Sequence, residues 1–426
     1  MCDSLVAVGS ETAAGVTLYA KNSDRKAGEC QPFVQFAEAM HPPRSTVRCT
    51  YLEIPQVAET YRVMGHSPWW VWGFEHGVNE HGVAIGNHSV FSNEPIEERP
   101  GMIGMDLVRL GLERGRDARE ALEVIAALIE THGQGGSALA PGATGYHNSF
   151  VLADPHEAWL LETSNRHWAA RRLRLASASN YLSLGTDWQI GSRDLEAFAR
   201  AEGLWRGNGR IDVAAAYRNP HVPAQISEGR KRRAEALLRA GRGRHDVESL
   251  QRILRDHLDG GIAWHPGPTP SEERFFTLCA HSEPVQWTTA SLVAPLPADR
   301  SSPWPVWISF GTPCTGIFLP VYLDGAIPAP LARGGEQPSD DSAWWVMKRL
   351  QDAASADPVA STPLLREGWA ELEERIEAER QRTEAAARRA VAAHDRDRAA
   401  TLVSDFMATS VEQVLKHAET LRARIA

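Results

Sequence analysis

Apolar and polar positions alternate in short runs over the first three quarters of the chain. Residues 4–9 and 16–21 both read as strands, joined by a short loop, 10–15, that ends in glycine. A hairpin on that loop pairs residues whose numbers sum to about 25, which puts Cys2 opposite Asn22-Ser23-Asp24. Segments 47–54, 83–85, 149–152 and 158–163 are also rich in β-favouring residues. The clearest helix starts at Asp117, with Glu120 three residues on as a capping box. Ala121, Val124, Ile125, Leu128 and Ile129 form its buried stripe, and Gly133 closes it. There is no regular βαβ alternation, so the pattern fits an α+β layered sandwich.

The last part of the chain has a different texture. From 366 to 426 it is rich in Ala, Glu and Arg, with long helical periodicity and no proline. Trp369, Leu372, Ile376 and Thr383 share one face, and Phe406, Val411, Val414 and Leu415 mark a second helix. Segment 354–363, which holds Pro358, Thr362 and Pro363, reads as the boundary. The expected organisation is a body over 2–353 and a C-terminal helical extension over 364–426. The extension is expected to dock on the body as a hairpin or to form a subunit contact.

A chain of 426 residues is long enough for a large core. Its formal net charge of -9 is spread over the whole length and argues against nucleic acid as a partner. No apolar run is long enough to span a bilayer, and the start lacks the basic-then-apolar pattern of a secretory signal. The five cysteines, Cys2, Cys30, Cys49, Cys279 and Cys314, are odd in number and show no CxxC spacing, so a disulfide framework is not expected. A reducing, cytoplasmic setting suits such a chain. His66, His76, His81 and His88 cluster in sequence, and Cys279-Ala280-His281 hints at a Cys/His site. Their spacing matches no common zinc pattern, so structural or substrate-lining roles are expected, with no metal and no cofactor.

Cys2 carries the sharpest chemistry. Removal of Met1, which occurs when the next side chain is small, leaves a thiol and a free α-amine on one residue. The amine's reference pKa of about 8 lets it act as base toward its own side chain. Taken alone, Cys2 reads as an incidental cysteine in an irregular start. The hairpin changes this by setting the charged run Lys21-Asn22-Ser23-Asp24-Arg25 beside it. Lys21 is expected to favour the thiolate, and Asp24 to hold the amine.

Cys2, Lys21-Asn22-Ser23-Asp24 and Gly77-Val78-Asn79-Glu80-His81-Gly82-Val83-Ala84-Ile85-Gly86-Asn87 together resemble the secernins and the C69 dipeptidases. These are N-terminal-nucleophile (Ntn) hydrolases of the choloylglycine-hydrolase type. Trp70-Val71-Trp72-Gly73-Phe74-Glu75, residues 104–115, residues 131–136 and Glu157-Ala158-Trp159-Leu160-Leu161-Glu162-Thr163 add to the likeness. It runs from Cys2 to about Thr163 and continues more weakly through Thr289-Ala290-Ser291 and Phe310-Gly311-Thr312-Pro313. The resemblance sharpens the fold to an αββα sandwich of two antiparallel sheets flanked by helices, with a C-terminal helical hairpin.

The resemblance also implies roles. Asn87 matches an oxyanion-hole asparagine, Asn180 the second active-site asparagine of the wider superfamily, and Arg274 the late active-site arginine of choloylglycine hydrolases. Surface arginine is an equal reading of Arg274. His88 follows Asn87 and, on a strand, points to the opposite face. Asn22, Trp72 and His88 are the substrate-lining candidates. Lys21 stands where bile-salt and penicillin-V enzymes have arginine, which moves the expected substrate away from bile-acid conjugates. The implied activity is hydrolysis of a dipeptide or other small N-acyl amine through a Cys2 acyl-enzyme. Acyl transfer and a non-catalytic interaction role stay open, as does a homo-oligomer; no nucleic-acid or membrane partner is expected.

Overall fold

A computed structural model describes residues 1–97, 99–139, 145–223, 226–258, 261, 263–265, 271–282 and 286–425, without the side chain of residue 273. Two antiparallel sheets dominate. In the seven-stranded sheet the order is Leu175–Ala178, Cys2–Ala7, Thr17–Arg25, Gln286–Leu296, Pro305–Phe310 and Leu319–Tyr322, with His281–Ser282 pairing to Gln286–Leu296. In the eight-stranded sheet it is Ile190–Gly191, His167–Leu173, Ala158–Ser164, His147–Ala153, Ala84–Val90, His76–Asn79, Val63–His66 and Phe33–Phe36.

Period-two alternation sorts the strand residues into layers. Val6, Tyr19, Leu292 and Ile308 of the first sheet meet Met64, Val78, Val151 and Leu160 of the second in a shared core. On the outer face of the first sheet, Leu5, Leu18, Ala20 and Val293 pack on Leu238 of helix Glu228–Ala240 and Leu250 of helix Val247–Leu254. On the outer face of the second, Ile85, Phe150 and Leu161 pack on Val108 of helix Gly104–Arg114 and Ile125 of helix Ala118–His132. The result is helix, sheet, sheet, helix: an αββα sandwich.

The N-terminal hairpin has the expected register, Cys2 facing Ser23 and Asp3 facing Asn22. Its second strand runs on to Arg25, because Gln286–Leu296 pairs along its other side as far as Arg25. The helix after Asp117 also forms, with the Glu120 N–H donating to the Asp117 carboxylate (2.7 Å) and Gly133 at φ 70° closing it. The Glu120 carboxylate instead accepts from the Arg116 N–H (2.8 Å). Segment 47–54 is not one strand. The Cys49 N–H donates to the Leu52 carbonyl (2.8 Å), and this turn splits it into the ribbon Thr46–Arg48 and Glu53–Pro55.

The C-terminal helices begin earlier than the proline pattern suggested. Pro358 takes the first helical position, where it has no N–H to lose, and the Asp357 side chain accepts from the Ala360 N–H (3.1 Å). Helix Pro358–Ala392 therefore includes Pro363 and is followed by Arg396–Ile425. With Ala343–Ser355 they pack beside the edge strand Leu319–Tyr322. Trp369 Nε1 donates to the Thr315 carbonyl (2.9 Å), Trp344 Nε1 to the Thr289 carbonyl (2.9 Å), and the Tyr322 hydroxyl to Glu384 (2.8 Å). Among the described residues no helix is long and apolar enough to cross a membrane.

Trp369 is fully buried in the shared core. Trp369→Ala is expected to cost about 3–5 kcal/mol of stability, read by urea unfolding of the full chain. A loss under about 1 kcal/mol would mean the tail is not part of the cooperative unit.

Candidate active site

Residues at the open end of the hairpin alternate between its two faces. Ser4 and Tyr19 bond each other on the inner face (3.2 Å), and Lys21 shares that face: a Cβ on Gly86 of the opposite sheet would lie 2.4 Å from Lys21 Cδ. Cys2 follows the same phase, with Sγ 3.9 Å from Glu75 Oε2. Asp3, Asn22 and Asp24 take the outer phase, toward the helices. Met1 extends the pairing by one step. The Asp24 N–H donates to the Met1 carbonyl (2.9 Å), and the Met1 ammonium donates to the Asp24 carbonyl (3.0 Å).

The Cys2 backbone N–H donates to Asn180 Oδ1 (2.7 Å). That oxygen also accepts from Arg230 Nη2 (2.8 Å), while Asn180 Nδ2 donates to both the carbonyl (3.0 Å) and the hydroxyl (2.9 Å) of Ser89. Arg230, fully buried on helix Glu228–Ala240, also pairs with Asp3, and its Nη1 lies 3.7 Å from Asp24 Oδ2. Asp24 Oδ1 accepts from Thr288 (2.7 Å), whereas Oδ2 is buried without a hydrogen bond. On the inner side, Glu75 joins Lys21 Nζ (3.5 Å) and Arg25 Nη1 (3.0 Å), and Arg25 also holds Glu29.

Four carboxylates, Asp3, Asp24, Glu29 and Glu75, thus face three side-chain cations, Lys21, Arg25 and Arg230; an N-terminal ammonium equalises them. Burial decides most of the ionisation. It pushes the Cys2 thiol up against the pull of Lys21, and Glu75 adds to the rise. It pulls the terminal ammonium down, against the carboxylate of Asp24. It raises Asp24 to about 6, against the ammonium and Arg230. For Glu75 burial pushes up, but Lys21 and Arg25 outweigh it and keep the carboxyl below its usual range. Lys21 does pull toward the thiolate, as expected from the sequence, but burial outweighs it and holds the Cys2 thiol above its ordinary value.

The remaining sequence candidates separate. Asn22 faces outward with its amide fully used: Nδ2 donates to the carbonyls of Leu254 (2.9 Å) and Leu278 (2.7 Å), and Oδ1 accepts from Ser291 (2.7 Å). It is a tie between segments, with no group left to face a substrate. His88 lies on the inner face, bonded to Ser4 (2.8 Å) and Ser149 (3.3 Å), and burial followed by Lys21 holds it neutral. Asn87 points the other way, its Nδ2 donating to Asn148 (3.1 Å) and its Oδ1 unpaired; its backbone N–H reaches the Glu75 carbonyl (3.4 Å). Trp72 packs outside the second sheet, its ring 4.0 Å from the Arg109 guanidinium. Trp70 is the member of that aromatic run that reaches the network, through Glu29 (2.8 Å). Arg274 is 66% exposed and paired with Glu272, so the surface reading of it is the right one.

Glu75, Arg25, Asp3 and Arg230 complete the site and had no role assigned from sequence. Glu75 and Arg25 stood at the ends of segments already singled out. Arg230 lies among the basic residues 230–233, and nothing in the chain distinguishes the one that turns inward. Arg230→Met should strand a buried carboxylate pair and cost about 3–5 kcal/mol in urea unfolding. A cost below about 1 kcal/mol would show that water reaches Asp3 and Asp24 in the folded chain.

The fold is similar to several solved structures. The C2A mutant of conjugated bile acid hydrolase from Clostridium perfringens is 13% identical over 73% of this chain and 89% of its own, with a TM-score of 0.42. Penicillin V acylase from Agrobacterium tumefaciens is 13% identical over 75% and 86%, also with a TM-score of 0.42. The Caenorhabditis elegans N-acylethanolamine-hydrolyzing acid amidase ortholog is 10% identical over 69% and 92%, with a TM-score of 0.34. Residues 1–221 match Peptidase family C69. That match spans the hairpin, Cys2, Glu75 and Asn180, and covers more than half of the chain, which belongs to peptidase family C69.

Proposed function

We propose that the protein is a dipeptidase that cleaves small peptides through a Cys2 acyl-enzyme, formed after Met1 is removed. The observation that carries this reading is the Cys2 nitrogen, seated 2.7 Å from Asn180 Oδ1 inside a buried, charge-matched site. Once it is an α-amine, that nitrogen takes the thiol proton, and the thiolate adds to the substrate carbonyl carbon. The ammonium returns the proton to the leaving nitrogen as the C–N bond breaks, leaving a thioester on Cys2. Water then attacks the thioester, the amine again relays the proton, and the acid departs.

Most of these groups have a part in this scheme. Asn180 and Asp24 hold and orient the amine, Asn180 through Oδ1 since its N–H groups are committed to Ser89. Lys21 and Arg25 steady Glu75 and lower the cost of a thiolate beside it. The Asn87 side chain, expected to be an oxyanion donor, lies on the far face of its strand and bonds Asn148, so it does not serve that role. The space Met1 occupies favours an apolar substrate: its side chain is buried against Phe275, Phe276 and Ile226. A cleft of about 300 Å³ lined by Asn180, Tyr181, Arg218 and Glu228 opens beside it.

Intact-protein mass, with and without a thiol-reactive acylating probe, tests the mechanism on wild type and Cys2→Ala. Loss of Met1 and one fast adduct that Cys2→Ala abolishes are expected, with cleavage of dipeptides bearing Met or Leu ahead of acidic ones. Retained Met1, or slow labelling indifferent to Cys2→Ala, would sink the mechanism and leave an interaction protein. Label that passes to added hydroxylamine but not to water would make it an acyltransferase.

The pH profile gives a second check. Burial lowers the Met1 ammonium, and the Cys2 nitrogen is buried one residue on, so the acid limb of kcat/KM should lie below the ordinary α-amine value of 8.0. A carboxylate favours the charged amine, so Asp24→Asn should move that limb further to the acid side. A limb that Asp24→Asn moves upward, or leaves in place, would remove Asp24 from the amine's surroundings.

A further inference from the structure

Far apart in sequence, His257, Cys279, His281 and Cys314 converge so closely that one donor atom from each lies within 4.8 Å of all the others. Three segments supply them. His257 follows helix Val247–Leu254, Cys279 and His281 flank Ala280 at the start of a short strand, and Cys314 sits in the turn after Pro305–Phe310. His281 Nε2 is 3.3 Å from Cys314 Sγ and 3.5 Å from Cys279 Sγ. The segments are tied to one another near the donors: the Cys279 N–H donates to the Asp256 carbonyl (3.1 Å), and Arg255 Nε donates to the Pro313 carbonyl (2.8 Å).

Nothing in the hydrolase scheme uses these four side chains, and as an apolar core they are poorly satisfied. His257, Cys279 and Cys314 are buried, and His281 lies under the Trp264 ring (4.5 Å between centroids, 12° between planes). Among the described residues, the ring nitrogens of His257 and the Nδ1 of His281 have no well-formed hydrogen bond, although the Cys314 thiol and the Gly261 backbone approach the His257 ring. Buried imidazole nitrogens met only by poor geometry and two thiols make an expensive arrangement unless something binds between them.

We propose that His257, Cys279, His281 and Cys314 form a Cys2His2 site for one structural zinc ion. Two thiolates and two imidazoles are the donor set that selects Zn(II) and favours tetrahedral geometry. With Zn–S of about 2.3 Å and Zn–N of about 2.0–2.1 Å, neighbouring donors in such a site stand about 3.3–3.8 Å apart. The His281 contacts are already in that range, and the widest pair closes by about 1 Å. Binding displaces the two thiol protons and completes the coordination with protein atoms alone, which leaves no open position for catalysis.

The site has a structural purpose in this chain. Ala280 sits between two of the ligands, and its N–H donates to Thr288 (2.9 Å), whose hydroxyl donates to Asp24 (2.7 Å). Asn22 holds the carbonyls of Leu254 and Leu278, just outside His257 and just before Cys279. Phe275 and Phe276, which cover Met1, stand four and three residues before Cys279. Zinc would therefore brace the chain beside Phe275 and Phe276, the rings that cover Met1. The proposal stands on the ligand cluster alone and does not depend on the dipeptidase reading.

The test is metal content of the full chain, produced without a histidine tag in zinc-supplemented medium and gel-filtered in a weak chelator. One equivalent of zinc per chain is expected, falling below a tenth in Cys279→Ser/Cys314→Ser. Replacement by cobalt should give thiolate charge-transfer absorption and tetrahedral visible bands. Cys314→His keeps a fourth donor and should still take one equivalent of cobalt, with weakened charge transfer, which separates ligand loss from misfolding. Wild type that holds under a tenth of an equivalent and takes up no cobalt would overturn the proposal. So would a Cys279–Cys314 disulfide seen as a loss of two hydrogens in intact mass, or metal that the double variant retains.

Discussion

Taking a chain terminus out of water is the constraint on which this structure turns. A buried ammonium needs acceptors and counter-charge, and a buried thiol keeps its proton unless a base stands next to it. The site answers both needs with one set of groups. Asp24 holds the Met1 ammonium and Asn180 the Cys2 nitrogen, while Glu75, Lys21 and Arg25 line the sulfur side. Because the cations and carboxylates balance only when the terminus is charged, the network is complete only with a chain end in it. An isolated buried pair is a weak source of stability, and removal of one partner is what does damage. The arrangement makes more sense as a device for holding an amine than as a source of fold stability.

The sandwich delivers these groups through strand alternation. Inner positions of the hairpin carry the thiol and Lys21; outer positions carry Asp3 and Asp24 to the helical layer, where Arg230 waits. Gly86 lets the two sheets approach over Lys21, since any side chain there would meet Tyr19 Oη at 2.3 Å. A lysine that must cross from one sheet to a carboxylate on the other thus depends on a missing Cβ in the facing strand.

Much of this was readable from the chain. The hairpin register follows from loop length and strand alternation, and it located Cys2, Lys21 and Asp24 together. The helix after Asp117 announced itself by cap and stripe. What failed was long range. Arg274 was offered for its likeness to a late active-site arginine, with a surface role an equal reading, whereas the arginine that reaches the site, through Asp3 and Asn180, is Arg230, one of several on a basic helix whose rotation only tertiary packing sets. Trp72 carried the right chemistry on the wrong side of a sheet, since its loop lies outside any strand and has no period to read. The cluster of two cysteines and two histidines was only half visible: Cys279-Ala280-His281 stood out in the sequence, but His257 and Cys314 arrive from separate turns. Its spacing fits no local pattern, and spacing was the criterion by which metal had been set aside.

Met1 has a consequence for the life history of the chain. In the folded form it is paired to Asp24 through both backbone groups, and its side chain is only 7% exposed beneath Phe275 and Phe276. An aminopeptidase grips an extended, accessible terminus, so folding closes the window in which it can act. Under the proposed mechanism, maturation is a race between trimming at the ribosome and closure of the sandwich. Chains that lose the race persist as a sealed population whose defect is historical rather than chemical, and they do not convert while folded. Exposure to aminopeptidase during denaturation and refolding would rescue them, and the same treatment of the native protein would not; equal trimming in both cases would show that the terminus opens in the folded state.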